Sequence, residues 1–312
     1  MKKKIKIIDY RKDSTFSKAR TISKILCVRS QVHSIDSILS EVKKYLPKPK
    51  GKCVIPTLYN FDIIIHPGKR SDLSTEDQLP GSFDNNLYFL GTYEAGTIDF
   101  IKNRLQTGHT FIDVGAHYGL MSFVASRVVG KEGRIVAVEP IRKTYKNLIT
   151  NIKLNKFLNI KSLNIALGEK NGTVKIYTHK VNDMKSSISP RKTELNNYLT
   201  FQEVKLKTID SIVDEMKINK VNMLKIDVEG YEMNVIKGAT HTIHRDKPDL
   251  IIEYSPNSTK SKRLLNFLKR MKIYKIYRLS KGRHFISKLV PFKSLSLLPK
   301  YNKVDNLFCI SK

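Results

Sequence analysis

From about Gly96 onward, apolar and polar positions fall into two alternating registers. "GTIDFIKNRL" carries helical spacing, "TFIDVG" reads as a strand, "LMSFVASRVV" as a helix, "RIVAVEP" as a strand and "KTYKNLITNIKLN" as a helix. "NIKSLNIAL", "TVKIYT" and "EVKLKT" are further strands, and "IDSIVDEM" is a short helix. "VNMLKIDVEG" is a strand, "YEMNVIKGA" a helix, "PDLIIEY" a strand and "KRLLNFLKRM" a helix, and "YKIYRL" and "VDNLFCI" close the chain as strands. Strands alternating with helices of this length predict right-handed crossovers and a mainly parallel, doubly wound α/β sheet covered on both faces. The near-continuous apolar runs in "RIVAVEP" and "DLIIEY" agree, since such strands are buried on both sides.

Upstream the pattern differs. From Ile22 to Leu46 apolar residues recur at three- and four-residue steps, an amphipathic helix with an expected break near His33–Ser34 and a stop at Pro47. "PKPKGK" (47–52) reads as a linker, and "KCVIPTL" and "NFDIIIHPG" as a hairpin. The expected organisation is a basic helical extension with linker over 1–52, a strand-rich lead-in over 53–92 and a catalytic-sized domain over 93–312.

Charge adds a second layer. The 312 residues hold 57 Lys plus Arg against 28 Asp plus Glu, a formal net charge of +29. Residues 1–52 carry 15 basic and 4 acidic side chains and residues 260–312 carry 15 and 1, so the ends hold most of the excess. A field of this sign favours anionic partners such as phosphate, an anionic polysaccharide or a membrane surface, while solvated surface lysine accounts for the same composition. Cys27, Cys53 and Cys309 are odd in number and far apart, which reads as small buried hydrophobes in a reducing compartment. No run of roughly 18 apolar residues is present, so a soluble, cytoplasmic protein is expected, with peripheral attachment to an anionic surface left open.

Chemistry is expected where strands end. The first strand of the regular region ends at Asp113, and the turn runs Asp113-x-Gly115-x-x-x-Gly119. Gly115 permits a sharp turn, Gly119 a close helix–strand approach, and amides at the helix start would face a ligand. A dinucleotide site wants a glycine where His117 stands, and Asp113 would repel a pyrophosphate. An acidic residue there suits a ligand with a cationic amino-acid end, which points to S-adenosylmethionine. Glu139, 20 residues beyond Gly119 at the next strand end, is placed to accept both ribose hydroxyls. Asn164 to Leu167 end the third strand, where Ile165 or Ala166 could flank an adenine or simply fill core. At the fourth, "LKIDVEG" places Lys225, Asp227 and Glu229 on alternating positions, with one face in common. A cation between carboxylates can position and deprotonate a hydroxyl, or close a strand as a structural ion-pair network.

These residues resemble the FkbM family of S-adenosylmethionine-dependent methyltransferases, through "GTYEAGTIDFI", "FIDVGAHYGLMS", "VAVEP", "NIALGEKNGTVKIY", "KIDVEGYEMNVIKGA" and "KPDLIIEYSP". The resemblance implies a class I, Rossmann-like methyltransferase with a seven-stranded sheet, acting on hydroxyls of sugars, glycans or secondary metabolites. It also implies that Asp113, Gly115 and Gly119 hold the methionine part of the donor, Glu139 its ribose, and Asp227 and Glu229 the reaction centre, with Glu94 closing over the donor. His117 departs from the Asn more usual in the family, and Tyr118 from an aliphatic residue, which bears on how the donor carboxylate is held. The expected roles are Asp227 as base or hydroxyl anchor, Lys225 as its electrostatic partner and Glu229 as second anchor, with His117 as a competing base. Asp227, Glu229 and Glu253 could converge on Mg²⁺, but without a clear ligand set no metal is assigned. An RNA methyltransferase and a non-catalytic nucleoside or anionic-surface binding module are the alternatives. The chain lacks the proline-aromatic stretch of base methylases and any recognisable RNA-binding module, so nucleic acid is not the expected partner.

Overall fold

The computed structural model describes residues 7–28, 42–48, 51–67, 83–179, 188, 198–256, 258–292 and 304–312. Strands in chain order are β1 (Ile8–Asp9), β2 (Cys53–Pro56), β3 (Asp62–Ile65), β4 (Thr110–Val114), β5 (Arg134–Val138), β6 (Ile160–Leu163) and β7 (Ala166–Leu167). They continue as β8 (Gly172–His179), β9 (Tyr198–Lys207), β10 (Met223–Ile226), β11 (Asp249–Tyr254), β12 (Tyr274–Leu279), β13 (Leu289–Pro291) and β14 (Asp305–Ser311). The main sheet runs β13-β12-β14-β11-β10-β4-β5-β6. Strands β6, β5, β4, β10 and β11 are mutually parallel, and β14 inserts antiparallel between β11 and β12. This is the mostly parallel, Rossmann-like sheet that the alternating pattern predicts, with one more strand than the expected seven. The extra strand, β13, is a three-residue edge piece that pairs with β12, too short for alternation to announce it.

Alternation on the strands assigns the two faces. On β5, Ile135 and Ala137 join a core on one side while Val136 and Val138 join a core on the other, and on β10 Met223 and Leu224 part in the same way. Both faces are therefore covered, which is why these strands lack polar alternation.

Two expected strands leave this sheet. β8 and β9 pair antiparallel and, with β7, form a separate three-stranded sheet. Their sequence explains it: "TVKIYT" alternates polar and apolar residues, the signature of a strand with one solvated face. "NIKSLNIAL", expected as one strand, splits into β6 and β7 across the two sheets. The helix Thr240–Asp246 has no apolar stripe to announce it.

The N-terminal region also departs from expectation. A helix spans Ser14–Val28, starting before Ile22, while the break expected at His33–Ser34 lies outside the described residues. Its early turns face inward through Phe16, Ala19, Arg20 and Ser23, all buried, and two of these four are polar. Arg20 donates to the carbonyls of Pro56, Leu87, Tyr88 and Phe89 at 2.8–3.1 Å. Three of those carbonyls end the helix Phe83–Leu90, where orphan acceptors and the dipole favour a cation. That helix falls inside the lead-in expected to be strand-rich. The hairpin within the lead-in forms as read, β2 with β3, and β1 extends it in parallel. No helix among the described residues is long and apolar enough to cross a membrane.

Candidate functional site

Strand register builds the site. Ala137, Asp113, Lys225, Ile251 and Phe308 are successive partners across β5, β4, β10, β11 and β14. One pleat further along the same face lie Gly115, Asp227, Glu253 and Asn306, the last two being partners in the β11–β14 ladder. A parallel sheet thus brings charged residues far apart in sequence into two adjacent rows at its carboxyl edge.

Lys225 sits in the first row, with Nζ 3.7 Å from Asp113 Oδ1 and 3.3 Å from Asp227 Oδ2. Burial alone would lower its pKa, but Asp227 and Asp113 outweigh burial and hold the ammonium above its ordinary value. Asp113 is buried, accepts from Ser122 Oγ at 2.6 Å, and has its carboxyl pushed up by that burial despite Lys225 and Ser122. Burial would also raise Asp227, yet Lys225 and then Arg283 more than offset it, so this carboxyl lies below the usual range. Two acids one pleat apart are driven in opposite directions, and Asp227 is the one kept ionised.

The turn after β4 is shaped by close approach. Gly115 has φ +81°, and a Cβ there would lie 1.9 Å from the Asp227 carbonyl oxygen. The amides expected to be free are largely spent: Gly115 and Ala116 donate to Val138 O at 2.9 and 3.0 Å, and His117 donates to Glu139 Oε2 at 3.0 Å. They lash the turn to the end of β5 and leave side-chain carboxylates facing the cleft. Gly119 does not line the cleft. A Cβ there would strike Phe123 and Leu148, so its part is the helix–strand approach.

Glu139 takes a second amide, Ile141 N, at 2.9 Å. Burial pushes its carboxyl up to about 7, against the pull of those two amides. The folded pKa thus exceeds the unfolded one, and this group's contribution to stability declines as pH rises from about 4.5 to about 7. Ligand binding should run the other way, because only the ionised form keeps all its acceptor sites for hydroxyls. S-adenosylhomocysteine affinity is expected to rise from about pH 5.5 to about 8.5, and Glu139→Gln to flatten the rise. Calorimetry across that range checks this, and a flat wild-type profile would remove Glu139 from the nucleoside contact.

Glu229 is a correction. β10 ends at Ile226; Asp227 still follows its register, its N–H donating to Val114 O at 3.1 Å, but Glu229 lies beyond it. Glu229 instead reaches the cleft from a turn at φ +55°, which Glu232 Oε1 supports by accepting from Gly230 N at 2.8 Å. Glu94 (φ +51°) and His117 (φ +52°) are likewise left-handed and also line the cleft. Left-handed backbone at residues other than glycine is costly and gathers where a site requires it.

The cleft spans about 1030 Å³ when the open solvent at its mouth is included. Of the anticipated residues, Glu94, Asp113, Gly115, His117, Glu139, Ala166, Lys225, Asp227 and Glu229 all line it. Five of these are carboxylates and one is a lysine, so a protein of net charge +29 surrounds an acidic cleft. Its apolar wall includes Ile165, Ala166 and Ile176, the last two from the small sheet. Along its wall, Phe83 meets His117 edge-on at 4.6 Å and Tyr93 at 5.1 Å, while His117 stacks on Tyr118 at 4.1 Å. Phe83 carries no sequence signal beyond its aromatic character, while Tyr93 stands in the "GTYEAGTIDFI" stretch.

Glu253 adds a third acid to Asp227 and Glu229. One ligand oxygen each from Asp227, Glu229 and Glu253 lies within 4.8 Å of the others, the convergence considered from sequence. Burial, then Asp227 and Glu229, push the Glu253 carboxyl well above its ordinary value, and Arg283 Nη1 lies 3.5 Å from its Oε1. In "LSKGRHF" nothing local sets Arg283 apart from neighbouring basic residues.

The lining offers what a cationic amino-acid nucleoside requires: several carboxylates, acceptors for hydroxyls and the apolar Ile165–Ala166 wall. Comparison with curated proteins finds no match. Among solved structures, the chain is similar to a tRNA m1G37 methyltransferase from M. jannaschii (11% identity, TM-score 0.43, 86% of this chain and 59% of that one). It is also similar to a precorrin-6y C5,15-methyltransferase from Geobacter metallireducens (12%, 0.41, 70% and 87%) and to Aeropyrum pernix fibrillarin with natively bound S-adenosyl-L-methionine (14%, 0.38, 68% and 72%). The model of the methyltransferase FkbM domain matches residues 113–275, just over half of the chain and the stretch that runs from Asp113 at the end of β4 through β5, β10 and β11. The chain therefore belongs to the FkbM family of S-adenosylmethionine-dependent methyltransferases.

Proposed function

We propose that this methyltransferase acts on a hydroxyl, most simply of a sugar or glycan, and that Asp227 receives its proton. The observation that carries this reading is the cleft's charge: Asp227 is held ionised by Lys225 at 3.3 Å, with Glu229 and Glu253 beside it. An ionised carboxylate accepts a hydroxyl hydrogen bond and then the proton, and neighbouring carboxylates accept from vicinal hydroxyls. Asp113, the Gly115 turn, His117, Glu139 and Ala166 are assigned to the donor, with Glu94 at its edge. The donor, when bound, supplies a sulfonium methyl, and the protein's task is to orient the acceptor oxygen and exclude water.

Asp227→Asn is expected to lower turnover by about a hundredfold or more while donor affinity changes only a few-fold. The measurement is transfer of isotope-labelled methyl from S-adenosylmethionine to a panel of hydroxylated glycans, lipids and RNA, with mass analysis of products and calorimetry of donor binding. A variant with full turnover would remove Asp227 from proton transfer. A methylated nucleobase as product would replace the hydroxyl reading.

A further inference from the structure

The residues on the far side of the carboxylate cluster come from outside the family-matched stretch of 113–275. Arg283 lies in the turn between β12 and β13 and is mostly buried. Its Nη1 stands between two carboxylates, 3.1 Å from Glu94 Oε1 and 3.5 Å from Glu253 Oε1. Asn306, on β14, donates from Nδ2 to Glu94 Oε2 at 3.0 Å and to Thr97 Oγ1 at 2.9 Å. Each Glu94 oxygen is thus held by a different C-terminal element.

The main chain of Arg283 is held as firmly. Its N–H donates to Asp305 Oδ1 at 2.9 Å, and its carbonyl accepts from Gly96 and Thr97 N–H at 3.0 and 3.3 Å. Those two amides open the helix Ala95–Arg104, where orphan donors need acceptors. Gly96 permits the approach, since a Cβ there would lie 2.3 Å from Phe285 O. The turn is therefore seated on the helix start that carries Glu94, and the strained φ of +51° at Glu94 is fixed from both sides.

We propose that Arg283 is a positioning residue for methyl transfer: seated by the turn after β12, it sets Glu94, and with it the acidic edge of the donor cleft. The inference rests on the donor reading above and adds to it a part of the chain that the family match does not reach. A surface ion pair would contribute little. This one is enclosed, so removing the cation leaves two buried carboxylates to repel each other and reorient. Asn306 alone cannot hold Glu94, because it binds one oxygen only.

The test is a double-mutant cycle read by calorimetry of S-adenosylmethionine binding, which needs no knowledge of the acceptor. Glu94→Gln and Arg283→Met are each expected to weaken binding by about tenfold. The double variant should be no weaker than Arg283→Met alone, because the arginine acts through the glutamate. Arg283→Lys keeps a cation there and should recover part of the loss. Melting temperatures taken alongside separate this from collapse of the fold, and if the Met variant does not fold, the Lys variant and Asn306→Ala carry the same comparison against Glu94→Gln. Undiminished binding by Arg283→Met, or losses that multiply in the double variant, would overturn the assignment. Failure of the wild-type protein to bind S-adenosylmethionine at all would instead overturn the donor reading beneath it.

Discussion

Replacing Lys225 with methionine is expected to destabilise the protein by about 3–5 kcal/mol and to abolish donor binding, measured by urea denaturation and calorimetry. The side chain is 6% exposed, with Asp113 at 3.7 Å and Asp227 at 3.3 Å, so its loss strands two carboxylates at the closed end of the cleft. Met conserves most of the volume, which confines the change to charge. The pH dependence gives the sign. In the wild-type protein Asp227 has a folded pKa below its unfolded value, so its contribution is present above the unfolded value and lost as pH falls through the folded one. Without Lys225, burial raises Asp227 as it already raises Asp113, and stability should then be regained as pH falls and the carboxyls protonate. The gap between variant and wild type is therefore expected to narrow as pH falls. A gap that is constant or widens on acidification would mean that the ammonium acts by packing and not by pairing.

The rows of charge were legible because a parallel strand writes its face into its alternation. Asp113, Lys225 and Asp227 stand at strand ends, and periodicity alone puts the latter two on one face. Glu139 could be found by its distance from the glycine turn. What failed to show was set by three-dimensional proximity without local pattern. Arg283 is one of 15 basic residues in the last 53, and only the seating of its turn on Gly96 and Thr97 makes it distinctive. Alternation extends the strand to Glu229 because the left-handed turn at Glu229 and Gly230 depends on Glu232, which accepts from the flanking amides of Val228 and Gly230. The helix Phe83–Leu90 and the early turns of Ser14–Val28 were missed for a related reason: Arg20 occupies an inward position where the pattern calls for an apolar residue, and it caps a helix about 70 residues away. The turn amides expected to face a ligand are bonded to Val138 O and Glu139, a consequence of β4 and β5 being neighbours, which spacing does not convey. Where local pattern and tertiary contact agree the reading is sound, and the departures gather around buried charge.

The second large effect is expected at Gly115, where two separable costs coincide. An L-residue at φ +81° costs about 1–2 kcal/mol in the backbone. The added Cβ would also lie 1.9 Å from the Asp227 carbonyl oxygen, a backbone atom that cannot swing aside, and forced overpacking of this kind costs about 1–3 kcal/mol. Gly115→Ala is therefore expected to lose roughly 2–5 kcal/mol of stability. Gly108 provides the internal control: its φ is +82°, but nothing lies within 4 Å of a Cβ there, so Gly108→Ala should lose only the backbone part. The difference between the two variants, read from urea denaturation, isolates the contact with Asp227. Functional loss should exceed the loss of stability, because relief of the clash must push the β4 turn away from β10, separating Asp113 and Glu139 from Asp227 and breaking the bonds of Gly115 and Ala116 to Val138 O. S-adenosylmethionine binding by Gly115→Ala is expected to fall below detection at temperatures where the variant is folded, while Gly108→Ala binds normally. Equal binding by both variants would mean that the turn after β4 is not the donor's cradle, and the assignment of Asp113 would fall with it.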